Sequence, residues 1–156
     1  MMNPKDRLGA MGIELPTVPM PVGSYLSAVR TGNLLFLSGI LPLRQGKLAK
    51  TGRVGKEISL EEAQEEARTS VLNALSIAKA HTGDLGNIQR CVKITGYIAS
   101  SDDFTEQPAV LNAASDLLFA VFGEQGRHAR AAVGVNILPL NSPVEIEFIF
   151  EISGGN

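Results

Sequence analysis

Five side chains in this sequence have types suited to chemistry at a shared site: Arg130, Glu145, Asn112, Ser38 and Tyr25. A guanidinium offers a forked, charge-assisted grip on a carboxylate that a lysine ammonium does not reproduce, and a glutamate can accept or return a proton. On pattern alone each also has a structural reading. Arg130 fits half of an ion pair, Asn112 a polar group inside a helix, Ser38 a strand-end hydroxyl and Tyr25 an amphipathic surface residue. The commoner catalytic patterns fail. Gly52-Arg53-Val54-Gly55-Lys56-Glu57 lacks the first Gly of a phosphate loop and puts Glu57 where magnesium needs Ser or Thr. There is no Gly-x-Ser-x-Gly elbow. His81 and His128 are far apart and without a ligand pattern, so no metal is expected. Cys91, on an expected strand, reads as a small packing hydrophobe.

Composition narrows the setting. The chain has 156 residues, 44% of them hydrophobic, which suits one domain with a sizeable core. Lys and Arg number 14 against 16 Asp and Glu, and this near-neutral balance argues against a nucleic-acid partner. A single cysteine excludes an internal disulfide and fits a reducing compartment. Residues 1–12 lack the apolar stretch of a signal peptide, and the greasy run 34–43 is too short to cross a bilayer. A cytoplasmic protein with no membrane association is the expectation.

The elements that would position the five residues are legible in outline. Residues 1–21 are expected to form an irregular strap, since Pro16, Pro19 and Pro21 remove donors and disfavour helix. Residues 22–152 form the domain, and 153–156 a frayed tail. Runs 25–30 and 34–38 read as two strands around a Thr31-Gly32-Asn33 hairpin loop. Residues 43–57 read as a long mobile loop. Ser59-Leu60-Glu61-Glu62 is a capping box, and Leu60, Ala63, Ala67, Val71, Leu75 and Ala78 follow at helical spacing up to Gly83. Residues 88–100 read as a strand with Val92, Ile94 and Ile98 on one face, and 108–122 as a second helix closed by Gly123. The last two strands are 128–138 and 144–152. The order ββαβαββ implies an α+β layer with both helices on one face of the sheet.

Strand alternation then assigns faces. Ala129, Ala131, Val133, Val135 and Ile137 are expected toward the helices, leaving Arg130, Ala132, Gly134 and Asn136 on the far face. Val144, Ile146, Phe148 and Phe150 likewise point inward, with Glu145, Glu147, Ile149 and Glu151 outward. On this reading Arg130 and Glu145 share the far face and can pair. Ala132 and Gly134 leave a shallow surface there, which invites close packing by another copy.

The segment from Arg130 to Pro139 followed by Val144-Glu145-Ile146-Glu147, together with Gly23-Ser24-Tyr25, Leu37-Ser38-Gly39 and the helix Asn112, resembles the RidA/YjgF family, also labelled endoribonuclease L-PSP. The likeness runs from about residue 22 to 152. It implies a chorismate-mutase-like α+β fold with a mixed sheet, and a homotrimer with a central β-barrel and three clefts between subunits. It further implies hydrolysis of 2-imino and enamine acids to 2-oxo acids and ammonia, with no cofactor or metal. By the same resemblance Arg130 would hold the substrate carboxylate and Glu145 would orient water or shuttle a proton. Tyr25, Ser38, Gly39 and Asn112 would frame the small 2-imino/2-oxo carboxylate ligand. The alternative is a non-catalytic binding protein for small carboxylates, with ribonuclease activity a distant third. Ile40 stands where many members carry Gln, Pro108 where many carry Phe, and Ala132 where many carry Cys. The strap and the 43–57 loop are also long. These departures mark a divergent subgroup whose anion-holding parts are retained and whose side-chain-selecting part differs.

Overall fold

In the computed structural model, which describes residues 2–21 and 23–154, the two long helices lie where the capping and apolar signals put them. Helix α2 spans Leu60–Thr82; Ser59 and Glu62 exchange side-chain-to-backbone bonds at its start, and Gly83 takes the left-handed φ of 86° that ends it. Helix α3 spans Gln107–Phe122, with Pro108 in its first turn and Gly123 as its cap. Their small inward residues, among them Ala63, Ala67, Ala74 and Ala114, are buried and let the two helices lie close together over one sheet.

The strands are β1 Ala28–Thr31, β2 Leu34–Leu37, a small β3–β4 hairpin (Leu43–Arg44 and Lys47–Leu48), β5 Ile88–Ala99, β6 Ala129–Val135 and β7 Val144–Ile152. The main sheet has the order β1-β2-β7-β5-β6, with β5 and β6 parallel and the other pairs antiparallel. The α+β order ββαβαββ is therefore present, with additions. Phe148 and Phe150 of β7 are fully buried and stack at 5.9 Å between centroids. Truncating either to Ala would cost about 3–5 kcal/mol.

Five expectations need correction, four of them local. The strap is not irregular throughout: α1 spans Pro4–Ala10, capped by Asn3, with Leu8 buried in the core. Pro4 falls in the first turn, where a missing N–H costs nothing, so it permits the helix that the later prolines would forbid. The 43–57 segment is tied down rather than loose. Arg44 pairs with buried Glu66 at 3.4 Å, Asn73 donates to the carbonyls of Leu41 and Leu43, and Arg53 donates to Ser100 O and Asp102. In β5, two register shifts turn Cys91 rather than Val92 into the core. Finally, Ser153 is anchored to Asn87, Gln89 and Arg30. The expected boundary at Val22 and the last two residues of the expected tail, 155 and 156, lie outside the described residues.

The most consequential correction concerns β6. In parallel pairing Ile94, Gly96 and Ile98 of β5 stand opposite Arg130, Ala132 and Gly134. They also stand opposite Phe148, Ile146 and Val144 of β7. Registered partners share a face, so Arg130, Ala132 and Gly134 lie on the helix side with the buried residues. Ala129, Ala131 and Val133 lie on the open side. The small residues that suggested a second copy instead make room for α3: a Cβ on Gly134 would meet Gln107 Nε2 at 2.7 Å, and one on Gly96 would meet Leu111 Cδ1 at 2.6 Å. Arg130 and Glu145 consequently occupy opposite faces and do not pair.

Candidate functional site

The chemistry-bearing residues fall into two groups. The first lines a cavity of 590 Å³ at the end of β2, walled by Tyr25, Ser38, Gly39, Ile40 and Glu145 together with Pro19, Met20, Leu41, Leu43, Ile77, Pro139 and Leu140. Glu145 reaches it because β7 alternates: Val144 and Ile146 are buried inward, so Glu145 points to the open face. After Leu37 the chain continues alongside β7, with Ile40 and Ile146 exchanging both backbone bonds, and this brings Gly39 against Glu145. A Cβ on Gly39 would collide with Glu145 Oε1, so glycine is what lets the carboxyl lie on the backbone. Ser38 Oγ donates to Leu26 O at 2.6 Å and pins the turn that carries Tyr25.

Burial, and secondarily the charge of Glu147, holds the Glu145 carboxyl above the usual carboxylate range. Glu147 sits two residues on, about 7 Å along the same face of the strand. It accepts a 2.5 Å bond from Tyr97 Oη, which raises the Tyr97 phenol. Among the described residues neither Glu145 nor Glu147 enters an ion pair. A half-buried carboxyl of this kind, at a cavity wall, is suited to proton transfer.

The second group surrounds Arg130 on the β6–α3 side. Arg130 Nη1 donates to Ser115 Oγ at 3.0 Å and Nη2 to Pro108 O at 3.3 Å. Ser115 Oγ lies 2.9 Å from His128 Nε2, and His128 Nδ1 lies 2.6 Å from Gly126 O. With a neutral ring, one proton arrangement satisfies all three contacts: Arg130 donates to Ser115, Ser115 to Nε2, and Nδ1–H to Gly126. Desolvation, with Arg130 as a lesser contributor, lowers the His128 pKa, the direction that favours this arrangement. Arg130 meets no carboxylate among the described residues, so its charge is held in place but not neutralised. Asn112 is exposed on the same stripe of α3 as Pro108 and Ser115.

Of the six residues expected at one site, then, Tyr25, Ser38, Gly39 and Glu145 come together, and Arg130 and Asn112 stand apart from them. Ser115 and His128 were not foreseen as supports of Arg130. Their signal was spacing: 108, 112 and 115 fall on one helix stripe, and 128 and 130 on one strand face. Leu140 and Asn141 were also missed, both with left-handed φ, 57° and 59°. Gly52 N–H holds this turn through Asn141 O at 2.9 Å. Arg53, from the discarded phosphate-loop pattern, is used inside the fold, on Ser100 O and the Asp102 carboxylate.

Residues 5–152 match the family model described as "YjgF/chorismate_mutase-like, putative endoribonuclease". The chain is 42% identical over 147 residues to Protein TCP17 of Trypanosoma cruzi, covering 94% of this chain and 92% of that protein. It is 30% identical over 140 residues to a 2-iminobutanoate/2-iminopropanoate deaminase of Dermatophagoides farinae, covering 90% and 94% of the two. The crystal structure of Atu1372 from Agrobacterium tumefaciens superimposes with a TM-score of 0.89 at 44% identity, covering 96% of this chain and 92% of that one.

Proposed function

The chain belongs to the YjgF/chorismate mutase-like family, and on that premise we propose that it hydrolyses reactive 2-imino acids to 2-oxo acids and ammonia in a cleft formed between two copies. The observation that carries this reading is Glu145, a carboxyl raised by burial and standing, among the described residues, in no ion pair at the wall of a cavity sized for a small acid. The mite relative named as a 2-iminobutanoate/2-iminopropanoate deaminase supports the same class of reaction.

The step needs no protein nucleophile, because the imine carbon is already electrophilic. Water adds its oxygen to C2 as the C=N electron pair moves to nitrogen, giving a carbinolamine. A proton then passes from the oxygen to the nitrogen, the C–N bond breaks and ammonia leaves, so that one water is consumed for each 2-oxo acid formed. Glu145 takes the proton from the attacking water and returns it to nitrogen. Arg130 grips the carboxylate with its fork, with Asn112 beside it, while Ser38, the Gly39 backbone and Tyr25 frame the other end.

Because Arg130 and Asn112 stand on the far side of the sheet from the Glu145 cavity within one chain, the arrangement works when the β6–α3 edge of one copy meets the cavity of the next. The open sheet face supports such an assembly, a homotrimer in this reading. Val29, Phe36 and Val133 there are 52%, 40% and 41% exposed, an apolar surface without a cover in the single chain. Sedimentation at micromolar concentration should give the trimer mass. The activity test generates 2-iminobutanoate in situ and follows 2-oxo acid formation. Acceleration by the protein, lost in Arg130→Ala, is expected; equal rates with and without protein remove the reading. A melting shift with 2-oxobutanoate and no turnover would leave a carboxylate-binding protein instead.

A further inference from the structure

The same cavity carries information about the substrate's side chain. Its polar groups gather at one end, at Ser38, Gly39 and Glu145. Apart from the hydroxyls of Ser27 and Tyr25, the remaining side chains of the wall are apolar, chiefly Met20 from the strap, Leu41 and Leu43 after β2, Ile77 of α2 and Leu140 of the turn before β7. At 590 Å³ it lies within the range of roughly 300–1,000 Å³ that holds drug-sized ligands. A three- or four-carbon acid held at the polar end would leave the apolar part to water, which gains nothing from those walls.

Leu140 adds an independent observation. Its backbone lies in the left-handed region, φ 57° and ψ 18°, which glycine or asparagine adopts far more readily than leucine. Its side chain is 60% exposed, so core packing does not account for a leucine there. The turn is braced from two sides, by Gly52 N–H on Asn141 O and by Asn141 N–H on Leu138 O at 3.0 Å. Strain of this kind persists where surrounding structure enforces it and gathers at ligand-binding sites. What the leucine supplies is apolar surface at the cavity wall. Ile40 at the polar boundary continues that surface.

We infer that this protein selects 2-imino acids with extended apolar side chains, and that Leu140 and Met20 are the residues that set the preference. The inference rests on the deaminase reading above and adds the substrate class to it. Each methylene buried against these walls raises kcat/KM about fourfold. The test uses one generator, an L-amino-acid oxidase with catalase, on 2-aminobutanoate, norvaline and norleucine, and reads the protein-dependent rate of 2-oxo acid formation. The expected result is a rise of roughly fifteenfold in kcat/KM from the four-carbon to the six-carbon imine. Leu140→Ser should bring that ratio close to one. Met20→Ser, at a position 81% exposed in the single chain, should lower it as well. A flat or falling series while 2-iminobutanoate is still turned over overturns the inference and leaves the deaminase reading standing. A rising series that neither variant flattens overturns the assignment to these residues. No acceleration of any imine ends the deaminase reading, and the inference with it.

Discussion

The Glu145 cavity and the Arg130 edge solve opposite problems. The cavity is made of chain ends and turns: the strap, the chain after β2, and the 139–141 turn. It has room and a carboxyl raised by burial, and no lysine or arginine lines it among the described residues. The edge is made of β6 and α3, and it fixes a guanidinium through a chain of hydrogen bonds from Arg130 to Ser115, His128 and Gly126. It holds a cation and lies apart from the cavity. Rigid elements hold the group whose position matters most, and loops surround the group that needs space and selectivity. Neither region performs the proposed reaction alone, so the comparison makes a strong statement about assembly.

The largest effect tests that statement directly. Arg130→Ala and Glu145→Gln should each lower kcat/KM by roughly 10²–10⁴, the scale of a lost proton-transfer group or its equivalent in positioning. Co-expressed, the two inactive chains should regain activity, because when a cleft takes Arg130 from one copy and Glu145 from the next, every mixed trimer keeps one intact cleft of its three, or about one third. Recovery near that fraction, measured on the purified mixed oligomer, fits two half-sites on different copies. No recovery in a confirmed hetero-oligomer would put both groups in one cleft of one chain and break the comparison.

How much of this was legible beforehand depended on the range of the interactions. Helix α2 was readable because its capping box and apolar stripe are local, and β7 because Phe148 and Phe150 alternate with glutamates. The faces of β6 were read backwards. The run Ala129, Ala131, Val133, Val135 looks like a core stripe, but on this edge strand α3 approaches over Ala132 and Gly134, and small size rather than hydrophobicity marks the packed side. The bulges of β5 and the helix Pro4–Ala10 depend on contacts across the fold. The site residues were named from motif resemblance. Their separation into two groups follows from strand register, and the meeting of Met20 with Leu140 from loops whose paths no periodicity encodes.

Gly39→Ala probes the cavity half. The new Cβ meets the flexible end of Glu145 rather than backbone, so the carboxyl moves while the fold stands. A displacement of about 1 Å can cost up to about a hundredfold in rate, and kcat should fall by that order with the melting temperature little changed. Ser115→Ala probes the other half. It removes the acceptor of Arg130 Nη1 and the donor to His128 Nε2 together. The guanidinium keeps its charge and loses its brace, so KM should rise by roughly tenfold with kcat nearly unchanged, the mark of lost ground-state binding. Ser115→Thr keeps the hydroxyl and should restore KM. A fall in kcat without a change in KM would place Ser115 outside the carboxylate grip.

The smallest effect, and the one that best separates the two regions, is a shift of pH dependence. Burial is the larger cause of the raised Glu145 carboxyl and Glu147 the smaller. As a base Glu145 acts ionised, so kcat should rise with pH through its raised pKa, and the acid limb should lie above the ordinary glutamate value of about 4.3. Glu147→Gln removes the like charge and leaves an acceptor for Tyr97 Oη, so the limb should move to lower pH. It should stop short of the ordinary value, because the burial is untouched. The same substitution relieves the stability that wild type loses as pH rises from the unfolded glutamate value toward the raised folded one, so urea midpoints should diverge in the variant's favour over that window. Ser115→Ala, acting at the other edge, should leave the limb of kcat where it is. A limb that ignores Glu147→Gln and follows Ser115→Ala would assign the titrating group to the His128 side, and would exchange the roles of the two regions.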